Sequence, residues 1–215
     1  NFLLNEQPDK AIDAFVEAVR IDPHTVELHF ALGSLFRRRG ETDRAIRIHQ
    51  LLVDREDLSE EQRLQALGEL GQDFLKAGLL DRAEAVFVRL RGTPANDVAL
   101  RYLLEIYQQE KDWAKAIDVA QALPQHESHL WRTEVANFHC ELAAAAMANS
   151  RPDEAGGHLE RAFVVNPRSV RASLLLGDLH AANGDDEAAL EAWKRVGAAE
   201  HGAGWQVMGA VKRAL

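Results

Sequence analysis

The sequence predicts an all-α fold, a right-handed superhelical solenoid of antiparallel helix pairs. Three observations carry that prediction. Alanine recurs in register at Ala11, Ala45, Ala83, Ala116, Ala155 and Ala189, in steps of 34, 38, 33, 39 and 34 residues. A fixed period of this size is the signature of stacked supersecondary units. Alanine and leucine are abundant, while valine, isoleucine, threonine and tyrosine never gather into alternating runs, a balance that favours helix over strand. Gly40, Gly78 and Gly184 share one position of the repeat, where a left-handed residue would end a helix.

Numbering the frame so that the recurring alanine is position 20 places Gly33, Gly71 and Gly177 at position 8. Position 24 is then Phe15, His49, Phe87, Ala120, Leu159 and Trp193, and the turn glycine is position 15. Two helices pack closely only where small side chains let their backbones approach, so positions 8 and 20 mark the contact and position 24 fills the space beside it. An incomplete first unit, residues 1–25, supplies one helix near 8–21, opened by Pro8. The second unit covers about 26–56, with helices near 27–39 and 42–54. The third covers about 60–92, after an insertion from Asp57 to Gln62, and the fourth about 97–124. The fifth, about 131–166, has a long first helix, and Pro152 opens its second. The sixth is about 170–197, and residues 203–215 begin a seventh. Asp112 and Asp185 stand where helices need N-caps, and Asp9, Asp43, Asp81 and Asp153 fall in first turns, where the helix dipole favours an anion. Units four and five depart most from the frame: Leu104 and Ala143 replace the glycine at position 8, and Lys111 and Ser150 replace the turn glycine.

No helix pair of this kind buries its apolar face alone, so residues 1–215 are read as a single array. The chain opens on Asn1, inside a pattern already under way, and closes inside another helix. It is therefore expected to be a fragment of a longer chain, with Phe2, Leu3 and Leu4 partly unsheltered.

The net charge is −9, which argues against nucleic acid as a general partner. Cys140 is the single cysteine, so the chain has no internal disulfide and no cysteine-based zinc site. No apolar run approaches the ~18 residues that span a bilayer. Nucleophile motifs, phosphate loops and dinucleotide fingerprints are absent from the sequence. His126 and His129 lie three apart in a predicted loop, without the further ligands a metal would need. Trp193 is read as core, and Cys140 as a packed or groove-facing thiol.

In such an array the first helix of each unit lines the concave face, and its frame positions 2, 5, 9, 12 and 13 point into the groove. Unit two then offers Phe30, Ser34, Arg37 and Arg38, and unit three offers Gln72, Leu75 and Lys76. Unit four offers Arg101, Glu105, Gln108 and Gln109. Units five and six add Asn137, Cys140, Met147, Arg171, Leu174 and Asp178. This mixed polar lining suits a peptide or helix of another protein. A second candidate is the arginine hairpin of Arg37, Arg38, Arg39, Arg44 and Arg47, continued by His49. It is either a solvated helical turn or a dock for an acidic surface.

The frame as a whole resembles the tetratricopeptide repeat. A narrower resemblance covers "NFLLNEQPDKAIDAFVEAVRIDPHTVELHFALGSLFRRRGETDRAIRIHQ" at 1–50, "LGQDFLKAGLLDRAEAVF" at 70–87, "LLEIYQQEKDWAKAIDVAQ" at 103–121 and "VANFHCELAAAAMA" at 135–148. These stretches resemble the cytoplasmic repeat region of the lipopolysaccharide assembly protein B family, most specifically from Leu35 to Gln50. The resemblance implies a non-catalytic adaptor on the cytoplasmic face of the inner membrane of Gram-negative bacteria. It would regulate lipid A synthesis by presenting the committing zinc deacetylase to a membrane AAA+ protease, and would contact other lipopolysaccharide synthesis or export components. It also implies an N-terminal membrane helix and a zinc domain with paired CxxC motifs. Neither is in this sequence, so no cofactor is expected here. Two other readings stand beside it: a generic repeat scaffold, self-associating through its incomplete ends, and the accessory repeat region of a glycosyltransferase-like enzyme, which rests on analogy alone.

Overall fold

A computed structural model describes residues 16–17, 25–124 and 131–199. The described residues are all-helical or irregular, with no strand among them. Among the described residues, ten helices follow in order: α1 Val26–Arg38, α2 Thr42–Val53, α3 Glu60–Lys76, α4 Leu80–Leu90, α5 Asn96–Glu110, α6 Trp113–Ala122, α7 Arg132–Ala148, α8 Pro152–Val165, α9 Val170–Ala182 and α10 Asp186–Ala199. Antiparallel pairs form within each unit, α1/α2 being repeat two, α3/α4 repeat three, α7/α8 repeat five and α9/α10 repeat six. The chain divides within α5 into two compact units, residues 1–106 and 107–215. The half repeat at 203–215, the first half repeat apart from residues 16–17 and 25, and the His126–His129 loop lie outside the described residues.

The turn between paired helices is built the same way five times. The residue at frame position 15 is left-handed in each of the five repeats where it is described: Gly40, Gly78 and Gly184 at φ of 78°, 74° and 80°, but also Lys111 at 59° and Ser150 at 56°. The amide that follows donates back across the turn, Glu41 to Phe36 O at 2.9 Å, Leu79 to Phe74 O at 2.9 Å, Asp112 to Tyr107 O at 2.9 Å, Arg151 to Ala146 O at 2.9 Å and Asp185 to His180 O at 3.0 Å. This is the six-to-one bond of a Schellman termination, which satisfies a carbonyl the helix end leaves over. Repeats four and five keep the bond even though a side chain stands in the left-handed position. The next helix starts at once. Asp112 Oδ1 accepts from the Lys115 amide at 3.2 Å, and Asp185 Oδ1 from the Ala188 amide at 3.0 Å.

Side-chain size alternates across each pair. A methyl group on Gly33 would collide with the His49 ring, one on Gly71 would sit 2.7 Å from Phe87 Cζ, and one on Gly177 would strike Trp193. Each glycine therefore exists to admit the ring at position 24. Repeat five keeps the same order in a milder form, small Ala143 and larger Leu159 lying in one core cluster. Repeat four reverses the sizes in sequence, with Leu104 at position 8 and Ala120 at position 24. A second periodic contact was not anticipated from the sequence. Position 19 places a cation over the aromatic ring at position 11: Arg44 over Phe36 at 4.0 Å, Arg82 over Phe74 at 5.6 Å, Lys115 over Tyr107 at 4.9 Å. Such pairs hold the outer turn for about 0.5–1 kcal/mol each. The segment expected as an insertion also contributes to the core. Leu58 is buried beside Val26, Leu52 and Ala66, and Ser59 and Gln62 form a reciprocal capping box that opens α3.

Candidate protein-binding groove

Repeats two and three are joined by a polar circuit. Arg37 on α1 donates to Asp73 Oδ1 at 2.7 Å, to Glu69 Oε2 at 2.6 Å and to the Glu69 carbonyl at 3.2 Å, both acids lying on α3. Ser34 adds a bond to Glu69 Oε2 at 3.2 Å. From α2, His49 Nδ1 meets Asp73 Oδ2 at 2.5 Å, and both side chains are 0% exposed. Burial opposes the Arg37 charge, but its bonds to Glu69 and Asp73 outweigh that, and its pKa rises above the ordinary arginine value. His49 Nε2 faces the Gly33 backbone with no hydrogen-bond partner among the described residues.

This circuit corrects the expected arginine dock. His49 is wholly buried, because it is the ring that Gly33 makes room for, and it cannot meet a partner. Arg37 is spent on Glu69 and Asp73. Arg39 Nε pairs with Glu41 at 2.9 Å, and Arg44 bonds the same carboxylate at 2.8 Å while lying over Phe36. Arg38 and Arg47 are the hairpin's exposed arginines outside these bonds.

The expected concave positions fall into two classes. Phe30 is half-buried against the Val26, Leu52, Leu58 and Ala66 cluster, its ring 6.1 Å from that of His49. Cys140 is 0% exposed within the core, and burial pushes its thiol pKa up, so the groove-facing reading of this residue is wrong. Leu174 packs against Trp193, whose indole N–H donates to the Leu174 carbonyl at 3.2 Å. Position 5 thus mostly serves the contact between helices. Lys76, Arg101, Glu105 and Asp178 are exposed, and Gln72, Gln108 and Asn137 half-exposed. Arg171 is exposed and bonds Glu141 of the preceding repeat at 2.8 Å.

Within the first unit these surfaces enclose one open cavity of about 620 Å³ between α3, the α4–α5 connection and the start of α5. Leu64, Leu90, Pro94 and Val98 make its apolar floor, and Gln65, Gly68 and Gln72 one wall. Glu60, Glu61 and Glu69 add carboxylates to the lining. Gln72 was expected here, and Gln65, Gly68 and Val98 were missed. They occupy frame positions 2 and 5 of repeats three and four, so the same rule applied to every position would have named them. Gly68 has nothing within 4 Å of where a side chain would begin. Unlike Gly71 it opens the surface and does not relieve a contact.

The pairing of helices, the turn and the exposed inner positions define a protein-interaction scaffold. The chain belongs to the tetratricopeptide-repeat family, whose sequence profile matches residues 2–57 and 140–203. Its similarity extends to lipopolysaccharide assembly protein B of Escherichia coli K12, at 45% identity over 197 residues, 91% of this chain and 51% of that protein. The Haemophilus influenzae protein of the same name is 37% identical over 205 residues, 91% of this chain and 52% of its own. The chain thus spans about half the length of the curated relatives it matches. Among solved structures, a tetratricopeptide repeat protein from Parabacteroides merdae superposes with TM-score 0.51 at 14% identity, covering 99% of this chain and 94% of its own. MamA from AMB-1 does so with TM-score 0.51 at 19% identity, covering 87% and 98%. These two share the fold alone.

Proposed function

We propose that this chain is the partner-binding part of a non-catalytic adaptor in lipopolysaccharide assembly, acting at the cytoplasmic face of the inner membrane. Its task is to hold the zinc deacetylase that commits precursor to lipid A, so that a membrane AAA+ protease can degrade it. The reading is supported by the 45% identity to lipopolysaccharide assembly protein B along 91% of the chain. Among the described residues no group of three or more histidine, cysteine or acidic side chains is placed to hold a metal, and no helix is long and apolar enough to cross a membrane. The surface these repeats offer is a groove, which suits recognition of another chain.

Calorimetric titration of the 215-residue chain with the deacetylase, at two salt concentrations, tests it. Saturable binding that weakens with salt is the expected result. No heat at high concentration, from the chain or from the longer protein that contains it, would overturn the reading.

A further inference from the structure

We propose that the cavity between α3 and α5 receives an aliphatic side chain from a basic segment of a partner protein. The proposal rests on the adaptor reading and adds the chemistry of the occupant. Leu64, Leu90, Pro94 and Val98 give the cavity an apolar floor. Val98 is 47% exposed there, at a position where the same helix buries Ala99 and Leu100. At about 620 Å³ the space exceeds what one leucine or isoleucine fills, so the segment that carries the side chain also enters.

The lining sets the sign of that segment. Glu60 and Glu61 are exposed and make no ion pair among the described residues. Their carboxylates are also not consumed as helix caps, because Ser59 and Gln62 perform the capping reciprocally. Glu69, the third acid, is already shared between Arg37 and Ser34. Two uncommitted carboxylates beside an apolar floor are complementary to lysine or arginine next to a leucine, and repel an acidic segment. Gly68 sets the depth. With no side chain and no neighbour within 4 Å, it leaves the middle of the α3 wall open.

The test uses the whole 215-residue chain and three fluorescein-labelled octapeptides read by anisotropy. One alternates arginine with leucine, one arginine with serine, and one glutamate with leucine. The arginine–leucine peptide is expected to bind saturably and at least tenfold tighter than either of the others. Gly68→Leu, which fills the wall, and the pair Glu60→Lys with Glu61→Lys are each expected to weaken it at least tenfold. Gly156→Leu, the same change at another helical glycine with no neighbour in range, leaves it unchanged. Melting curves confirm that each variant folds, and Gly68→Ala supplies a milder version with an intermediate loss. Equal binding of the arginine–serine or glutamate–leucine peptide, or no effect of Gly68→Leu, would overturn the proposal. If the deacetylase binds and the arginine–leucine peptide does not, the cavity proposal fails alone. If the peptide binds and the deacetylase does not, the adaptor reading fails alone.

Discussion

Replacing Asp73 with asparagine removes one negative charge from the centre of the circuit that joins repeats two and three, with almost no change of shape. Its carboxylate holds two charge-assisted or strongly polar bonds, from Arg37 at 2.7 Å and from His49 at 2.5 Å, and is 0% exposed. Bonds to a charged group contribute roughly 1.5–3 kcal/mol, and a buried donor left without its acceptor costs about 1–3 kcal/mol. Arg37 keeps Glu69, so its charge is not stranded. Asp73→Asn is therefore expected to destabilise by about 2–4 kcal/mol, within the range for breaking a buried pair. The interface between repeats three and four shows how to restore it. There Phe87 stands at position 24 and Ile106 at position 10, both 0% exposed. Importing that pair as His49→Phe with Asp73→Ile is expected to recover most of the stability that Asp73→Ile alone removes, because a well-packed apolar pair commonly equals a buried ionic one. Urea unfolding followed by circular dichroism measures both, with the slope compared to confirm that the same surface unfolds. If Asp73→Asn falls within 0.5 kcal/mol of the parent, or the double variant is no better than Asp73→Ile, then the circuit is not what holds these repeats together.

Two further outcomes follow from local geometry. Lys111 and Ser150 hold the left-handed turn position that glycine fills elsewhere, so Lys111→Gly and Ser150→Gly are each expected to stabilise by about 1 kcal/mol, raising the midpoint of thermal melts. His139 on α7 and His158 on α8 approach Nδ1 to Nδ1 at 3.4 Å. Burial, then His158 and Arg161, push His139 down from 6.5 to about 4, and burial and Arg161 lower His158. As pH falls through that window the unfolded chain takes up the proton and the folded chain does not. Stability is thus complete above about 6.5 and declines toward 4. His139→Leu is expected to flatten that part of the melting-temperature profile, and an unchanged slope would refute it.

The fold was legible because its main constraint is periodic and local. Gly33 with His49 and Gly71 with Phe87 trade volume across one hairpin, so position alone announces the pairing. What joins one repeat to the next is not periodic. His49 reaches Asp73 on the following repeat, in a place where other repeats carry apolar residues, and its polarity suggested surface when its frame position said core. Arg37 illustrates the same difficulty. A cluster of like charges reads as a patch, yet its first member bonds across to α3 and others fold back onto Glu41. The pairs of Phe36 with Arg44 and Phe74 with Arg82 were periodic and still missed, since an arginine in a first turn also reads as mere solvation. The cavity depends on an absent side chain at Gly68. In sequence only the frame position, 5 against 8, separates that glycine from Gly71, although one opens a surface and the other admits a ring.

The polar circuit also bears on how such arrays change by duplication and exchange of whole repeats. A repeat that joins its neighbour through apolar rings can be copied next to any other of its kind. Repeat two cannot, since Arg37 and His49 come with it while Glu69 and Asp73 belong to repeat three. Moved in front of a repeat with isoleucine or leucine at position 10, it would bury a histidine donor against hydrocarbon and leave an arginine half-enclosed without its acids. Cutting the array between these two repeats strands polar partners on both sides, whereas a cut at a joint made of apolar rings does not.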